Sequence, residues 1–392
     1  MTRLSSRLAS LHASQIREMM RLAQQVGAIN MAQGAPDFPA AAEVKQAAVE
    51  AIHADHNQYT VPWGLEALRV AVAEMLGKRY GLRADPASEV TITCGVTEGM
   101  VAVLLALLEP GDEVIIVEPA HENYVPAVAF AGGVPRYVPL LPPQFALEPD
   151  ALAAAVTPRT RFLILNTPHN PTGRVFTREE LASVAELAAK HDLVVITDEI
   201  YDRLTYHGHE HIAFATLPGM AERTVTCGGI SKIHAVTGWR LAYVIAPEAL
   251  SAGIRKVHDY LTICAPTPFQ HAALTALAMP ESYYDRIRRE FAERRDRLVE
   301  AFQAAGIAAE PPQGAYYVLG DVSAWKLGEE ATETCRYFIQ HVGVATVPGP
   351  AFYYGHPEIG RTLLRFAFAK QMSTLDDVAA RLERGYARRH RQ

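Results

Sequence analysis

The sequence predicts an α/β protein with a mostly parallel central sheet covered by helices in a large domain, followed by a smaller α+β domain. Three observations carry this. Short apolar runs recur between helix-length segments from Val90 to Ile245, the pattern of strands buried on both faces. From about Ser282 that pattern gives way to one long charged helix and a Gly-Ala-Tyr-Tyr strand. The 392 residues, 49% hydrophobic and 20% charged, are enough for a large core in about two domains. The expected divisions are an N-terminal segment, 1–44, packing on the small domain; a large domain, 45–281; and a small C-terminal domain, 282–392.

In chain order, helical periodicity covers Ala41–His53 and Leu65–Tyr80, with a loop at Asn57–Gly64 between them. Val90–Thr93 reads as a strand, Cys94–Glu98 as a turn, and a helix follows to Leu108. Further strands are expected at Val114–Val117, Phe162–Leu165, Leu193–Thr197, Thr224–Cys227 and Leu241–Ile245, with helices at Val125–Ala131 and Arg178–Lys190. In the small domain the expectation is a helix at Tyr284–Ala305, a strand at Gly314–Leu319, a helix at Ala331–His341, strands near Val344 and Leu364, and a last helix. Ligands of such sheets sit outside the carboxyl ends of the strands, and the polar residues discussed next lie largely there.

Composition excludes some functions. Net charge is −6, and no basic block interleaved with aromatics appears, so no nucleic-acid partner is expected. The basic tail Arg384–Arg391 reads as the solvated end of a helix. The longest apolar run, Met100–Leu108, is too short to span a bilayer. Cys94, Cys227, Cys264 and Cys335 are far apart, with no C-x-x-C pair and no secretory leader, so reduced thiols and a cytoplasmic setting are expected. His207-Gly208-His209-Glu210-His211 is reminiscent of a metal cluster, but no further ligand set accompanies it, and no metal is expected.

The chemistry concentrates in Gly229-Ile230-Ser231-Lys232-Ile233-His234-Ala235-Val236-Thr237-Gly238-Trp239-Arg240. A lysine that forms a Schiff base needs small neighbours so that its amine reaches an aldehyde. An arginine eight residues on can fork onto a phosphate. Other segments lie at strand ends: Thr93-Cys94-Gly95-Val96-Thr97-Glu98-Gly99, Asn166-Thr167-Pro168-His169-Asn170-Pro171-Thr172-Gly173 and Thr197-Asp198-Glu199-Ile200-Tyr201. The first of these puts backbone N–H groups at a helix start, where phosphate binds.

Together, from about residue 30 to 370, these segments resemble the class I/II, aspartate-aminotransferase-like family of fold-type I pyridoxal-5′-phosphate (PLP) enzymes. The resemblance implies a PLP-dependent aminotransferase, exchanging the amino group of an amino acid with a 2-oxo acid. Lys232 would hold the cofactor as a Schiff base and act as general base. Asp198 would pair with the pyridine nitrogen, keeping it protonated so that the ring accepts electrons. Asn170 and Tyr201 would bond the 3′ oxygen. Gly95, Val96, Thr97, Ser231 and Arg240 would hold the phosphate. Tyr59, in Asn57-Gln58-Tyr59-Thr60, would reach the phosphate of the neighbouring subunit, making a homodimer part of the site. Arg365, in Leu364-Arg365-Phe366, would grip the substrate carboxylate, with the loop at Gly34 closing over it and Asn170 beside it.

The sequence departs from the family in two places. His121 falls where an aromatic ring normally stacks on the pyridine, and a histidine adds an acid/base group there. That opens an alternative: a PLP lyase or oxidative decarboxylase or deaminase of a specialised amino acid, for example one catalysing C–S β-elimination. Gly229 stands where a phosphate-binding serine or threonine is common. A ligand-sensing role within a transcription regulator is disfavoured by the acidic charge. Tyr353, Tyr354 and Trp63 are open between lining a substrate entrance and packing.

Overall fold

The computed structural model describes residues 5, 8, 11, 13–328 and 330–391. Up to Leu277 the chain forms α1 (Gln15–Val26), β1 (Ile29–Asn30), α2 (Ala42–His53), α3 (Glu66–Tyr80), β2 (Val90–Thr93), α4 (Gly95–Leu107), β3 (Glu113–Glu118), α5 (Tyr124–Phe130), β4 (Val134–Pro139), α6 (Pro149–Ala155), β5 (Thr160–Asn166), α7 (Arg178–His191), β6 (Val194–Asp198), β7 (Thr224–Gly228), β8 (Ala242–Ile245), α8 (Glu248–Thr262) and α9 (Thr267–Leu277). The remainder comprises α10 (Glu281–Ala304), β9 (Tyr317–Asp321), α11 (Ala331–Tyr337), β10 (Val344–Ala345), β11 (Val347–Pro348), β12 (Leu363–Ala367) and α12 (Met372–Arg389).

The central sheet has the order β2-β8-β7-β6-β5-β3-β4. Every pairing in it is parallel except the two made by β8. Strands β3 and β7 are buried at every residue, because helices cover both faces. With β8 reversed, β2 runs the same way as β7, so β2, β3, β5, β6 and β7 all deliver their carboxyl ends to one edge. That edge is where the loops carrying chemistry begin.

Six elements escape the sequence reading: β1, β4, α6, α8, α9 and β11. Strand β4, Val-Pro-Arg-Tyr-Val-Pro, has no apolar run to mark it. Its two prolines lack an N–H, which an edge strand tolerates, and β4 is at the edge. Helices α8 and α9 lie in a stretch where no element was expected. Proline in the first turn of α9 hides its start, yet costs nothing where N–H groups have no helical partner. The strand expected from Gly314 begins only at Tyr317, because Ala315 takes a positive φ of 55°.

The second part centres on the sheet β11-β12-β9, all antiparallel. Trp325, Phe338, Phe302 and Phe366 fill its core. Met19, Ala23 and Met31 of the N-terminal segment join that core, and β1 pairs with β10 in parallel, Ile29 opposite Val344. Residues 1–4, 6, 7, 9, 10 and 12 of that segment lie outside the described residues. Among the described residues, no helix is long and apolar enough to cross a membrane. The four cysteines are free.

Candidate active site

Asp198 ends β6 and forms the floor of a cavity at the carboxyl edge of the sheet. Its Oδ2 accepts from the Tyr124 hydroxyl at 2.7 Å and its Oδ1 from the Ile200 N–H at 3.2 Å. Burial raises its pKa, and the Tyr124 bond is the first force opposing that rise. Asn166, at the end of β5, donates through Nδ2 to the Asp198 carbonyl at 2.7 Å and accepts the Asn170 N–H through Oδ1 at 2.7 Å. One amide therefore fixes the backbone at both Asp198 and Asn170.

Beyond β7 the chain turns through Gly229 to Ser231 and Lys232, which line the same cavity. A Cβ on Gly229 would lie 3.0 Å from Ile200 Cδ1 and 3.1 Å from Ala242 Cα, so a serine or threonine here is crowded by backbone. Lys232 Nζ lies 6.0 Å from the ring centroid of Tyr201. Arg240 sits in the left-handed region, φ 53°, and donates to the Thr237 carbonyl at 3.1 Å. Gly95 faces it with φ 80°, and a Cβ there would meet Arg240 Nη2 at 2.4 Å. The glycine thus makes room for a guanidinium at the first turn of α4. The N–H groups of that turn have no intrahelical acceptor, and the helix dipole adds positive potential.

On the opposite side, Arg365 of β12 is fully buried. It donates to Asn170 Oδ1 at 3.1 Å and to the Ala32 carbonyl at 2.6 Å, while its enclosed Nε has no partner among the described residues. Its guanidinium lies 4.5 Å from the Tyr317 ring and 4.7 Å from that of Phe352. Burial pulls its pKa below the ordinary value. The Gly34 carbonyl accepts from the Tyr316 hydroxyl at 2.8 Å, and a Cβ on Gly34 would collide with the Tyr317 hydroxyl. Tyr201 donates to Tyr317 at 3.2 Å, and burial, with Tyr317 and Tyr316 beside it, pushes its pKa up.

His121 follows β3 and meets the Tyr124 ring edge-on, centroids 5.7 Å apart. Its Nε2 lies 3.3 Å from Asn123 Nδ2, and its enclosed Nδ1 has no partner among the described residues. Burial, then Arg365 and Lys232, pushes its pKa down to about 3. The ring is therefore neutral at physiological pH.

The cavity brings together Val96, Thr97, His121, Asn170, Asp198, Tyr201, Ser231, Lys232 and Arg240. Gly95 supports it beneath Arg240, and Arg365 and the loop at Gly34 adjoin it through Asn170 and Ala32. Tyr59 is not brought in: its side chain is 74% exposed. Sequence reasoning missed Asn123, Tyr124 and Tyr317, which also line the cavity. Tyr124 stands three residues after His121, and that spacing was the only local signal. Tyr353 is packing, fully buried and bonded to the Leu140 carbonyl at 2.8 Å. Trp63 packs under the Arg255 guanidinium at 5.1 Å. His211 is bonded to Glu199 at 2.7 Å, and His207 contacts Arg295. A cleft of about 790 Å³ is lined by His207, His209 and His211 and shares no residue with the Asp198 cavity.

The donor set fits the cofactor that the resemblance implies. An amine, a buried carboxylate and an arginine at a helix start line one cavity, and Gly95 leaves open the space a side chain would fill. Known proteins agree. Over 389 residues the chain is 40% identical to the probable N-succinyldiaminopimelate aminotransferase DapC of Mycobacterium tuberculosis, covering 96% of this chain and 97% of that one. It is 36% identical to the methionine aminotransferase of Escherichia coli, covering 96% and 97%. The solved structure of N-succinyldiaminopimelate aminotransferase from Mycobacterium tuberculosis superposes with a TM-score of 0.93 at 39% identity, over 98% of this chain and all of that one. Aspartate aminotransferase of Thermus thermophilus with maleate gives 0.91 at 33%, with the same coverage. The profile of aminotransferase class I and II matches residues 26–382, and the chain belongs to that family.

Proposed function

We propose that this cavity exchanges an amino group between an amino acid and a 2-oxo acid, the reaction of a PLP-dependent aminotransferase. When bound, PLP supplies an aldehyde for the amine and a ring that accepts the electrons freed at the substrate α-carbon. Lys232 would anchor the cofactor and then act as the base that takes the proton from the substrate α-carbon. Asp198, held by Tyr124, would keep a proton on the pyridine nitrogen. Asn170 and Tyr201 would donate to the 3′ oxygen. Ser231, Arg240, the amides of Val96 and Thr97 and the Thr97 hydroxyl would hold the phosphate at the turn that Gly95 opens. Arg365 forks onto the α-carboxylate, and its unpartnered Nε is a donor in reserve for it. Gly34 lets its loop close above.

The observation that carries this reading is the meeting of Lys232, Asp198 and Arg240 in one cavity at the sheet's carboxyl edge. The lyase or decarboxylase alternative drawn from His121 is not favoured. Relatives 33–40% identical over nearly the full chain bear the names of aminotransferases or transaminases. The exposure of Tyr59, far above that of a core tyrosine, supports its reaching a second subunit, and hence a homodimer. The free cysteines support a cytoplasmic setting. The domain division proposed is a large cofactor-binding part, 45–281, and a small part, 282–392, with the segment 1–44 packed on the latter.

The test is Lys232→Ala. The visible absorption of lysine-bound PLP and turnover should both vanish, while the protein stays folded by circular dichroism. Retention of both would overturn the assignment.

A further inference from the structure

We infer that Asn123 locks the ring of His121 in its neutral Nδ1–H form and ties it to the Thr97 hydroxyl, making Asn123 a positioning residue for two ends of the cofactor site. The inference rests on the reading of Thr97 as a phosphate contact.

The argument is one of donors and acceptors. Asn123 Nδ2 lies 3.3 Å from His121 Nε2 and 3.2 Å from Thr97 Oγ1. An amide NH₂ has two protons to give and no lone pair to offer. Both neighbours must therefore accept. For His121 that means a lone pair on Nε2 and, in the neutral ring, a proton on Nδ1. The reversed amide would place its oxygen against the same two atoms and require a proton from each. Thr97 has a single hydroxyl proton, and a phosphate accepts but does not donate it back. A Thr97 that serves the phosphate can only accept from Asn123. Cofactor binding thus selects the NH₂-inward amide, and the amide selects the histidine tautomer.

The surroundings agree. Among the described residues Nδ1 of His121 has no partner, so nothing on that side competes for the tautomer and the Asn123 contact at Nε2 decides it. A charged ring would set an N–H against the amide NH₂, with Arg365 and Lys232 adding repulsion. Asn123 stands at the start of α5, and its carbonyl accepts the Ala127 N–H at 3.2 Å. One short segment, 121–124, thereby sets the His121 ring, the Asn123 link to Thr97 and the Tyr124 bond to Asp198. His121 then serves as a flat neutral ring, which suits amino transfer without a second acid.

The test reads the tautomer directly. Holoenzyme carrying ¹⁵N-labelled histidine is examined by long-range ¹H–¹⁵N correlation, with the His121 signals assigned by their loss in His121→Phe. The expected pattern is a proton on Nδ1 alone from pH 5.5 to 8.5. Asn123→Asp, whose carboxylate can only accept, should move the ring proton from Nδ1 to Nε2 at pH 7. Asn123→Leu should release the Nδ1–H pattern and raise the PLP dissociation constant about three- to tenfold, the worth of one hydrogen bond. A wild-type ring protonated on Nε2 at pH 7, or Asn123→Leu with unchanged tautomer and affinity, would overturn the inference. Thr97→Ala separates the two readings. Unchanged PLP affinity there refutes Thr97 as a phosphate contact, while the tautomer read in the same sample judges Asn123.

Discussion

The hydroxyl of Tyr124 lies 2.7 Å from Oδ2 of Asp198 and donates to it across the floor of the cavity. Tyr124 follows β3 and Asp198 ends β6, so the bond spans the intervening β5. Burial favours the protonated carboxyl, and this donor favours the carboxylate that a pyridinium needs.

Tyr124→Phe keeps the ring and removes that donor. A hydrogen bond to a charged group is worth about 1.5–3 kcal/mol, so kcat should fall about tenfold or more. KM for the amino acid should barely move, because Tyr124 acts through Asp198. Steady-state kinetics with saturating PLP check this, and an unchanged kcat would remove Tyr124 from the machinery.

Gly95→Ala should damage cofactor binding. Its Cβ would meet Arg240 Nη2 at 2.4 Å, in a backbone region, φ 80°, that alanine disfavours. Displacing the guanidinium loses a charge-assisted contact, so PLP affinity should drop about tenfold or more. A fluorescence titration with PLP measures it.

Arg365→Lys should act mainly on substrate. A lysine is a point charge and cannot reproduce the planar fork that bonds Asn170 and Ala32 and leaves Nε free. KM for the amino acid should rise at least tenfold with a smaller change in kcat. Equal acceptance of amines lacking a carboxylate would argue that the group lies elsewhere.

Acid should weaken the fold through buried histidines. His121 and His169 both have pKa values pushed down to about 3, chiefly by burial, against an ordinary value of 6.5. Between these values the unfolded chain binds protons that the folded chain refuses. Their contribution is therefore intact above pH 6.5 and is lost as pH falls toward 3, by about 1.4 kcal/mol per pH unit for each. In His121→Phe the pH dependence of urea unfolding from pH 7 to 4.5 should be shallower. Turnover in that variant should fall less than about tenfold, with no change in the acid limb of its pH profile.

The sequence by itself determined the fold class and the chemistry that sits within single segments. Lys232 and Arg240 share one loop, Asn166 and Asn170 share another, and Gly95 to Thr97 share a strand-to-helix turn. Such groups are legible because a ligand at a strand end is met by residues a few positions apart, and local spacing encodes that. Buried strands also announce themselves, as β3 and β5 do, whereas the edge strand β4 with its two prolines does not. Tertiary structure alone decided the pairings across segments: Tyr124 with Asp198, Asn123 with Thr97, Gly95 beneath Arg240, Arg365 with Asn170. Each depends on the order β2-β8-β7-β6-β5-β3-β4, or on how the second sheet docks against it. Apolar periodicity says that a strand is buried, but not which strand lies beside it. A hydroxyl or an amide finds its partner only once that order has brought the loops together.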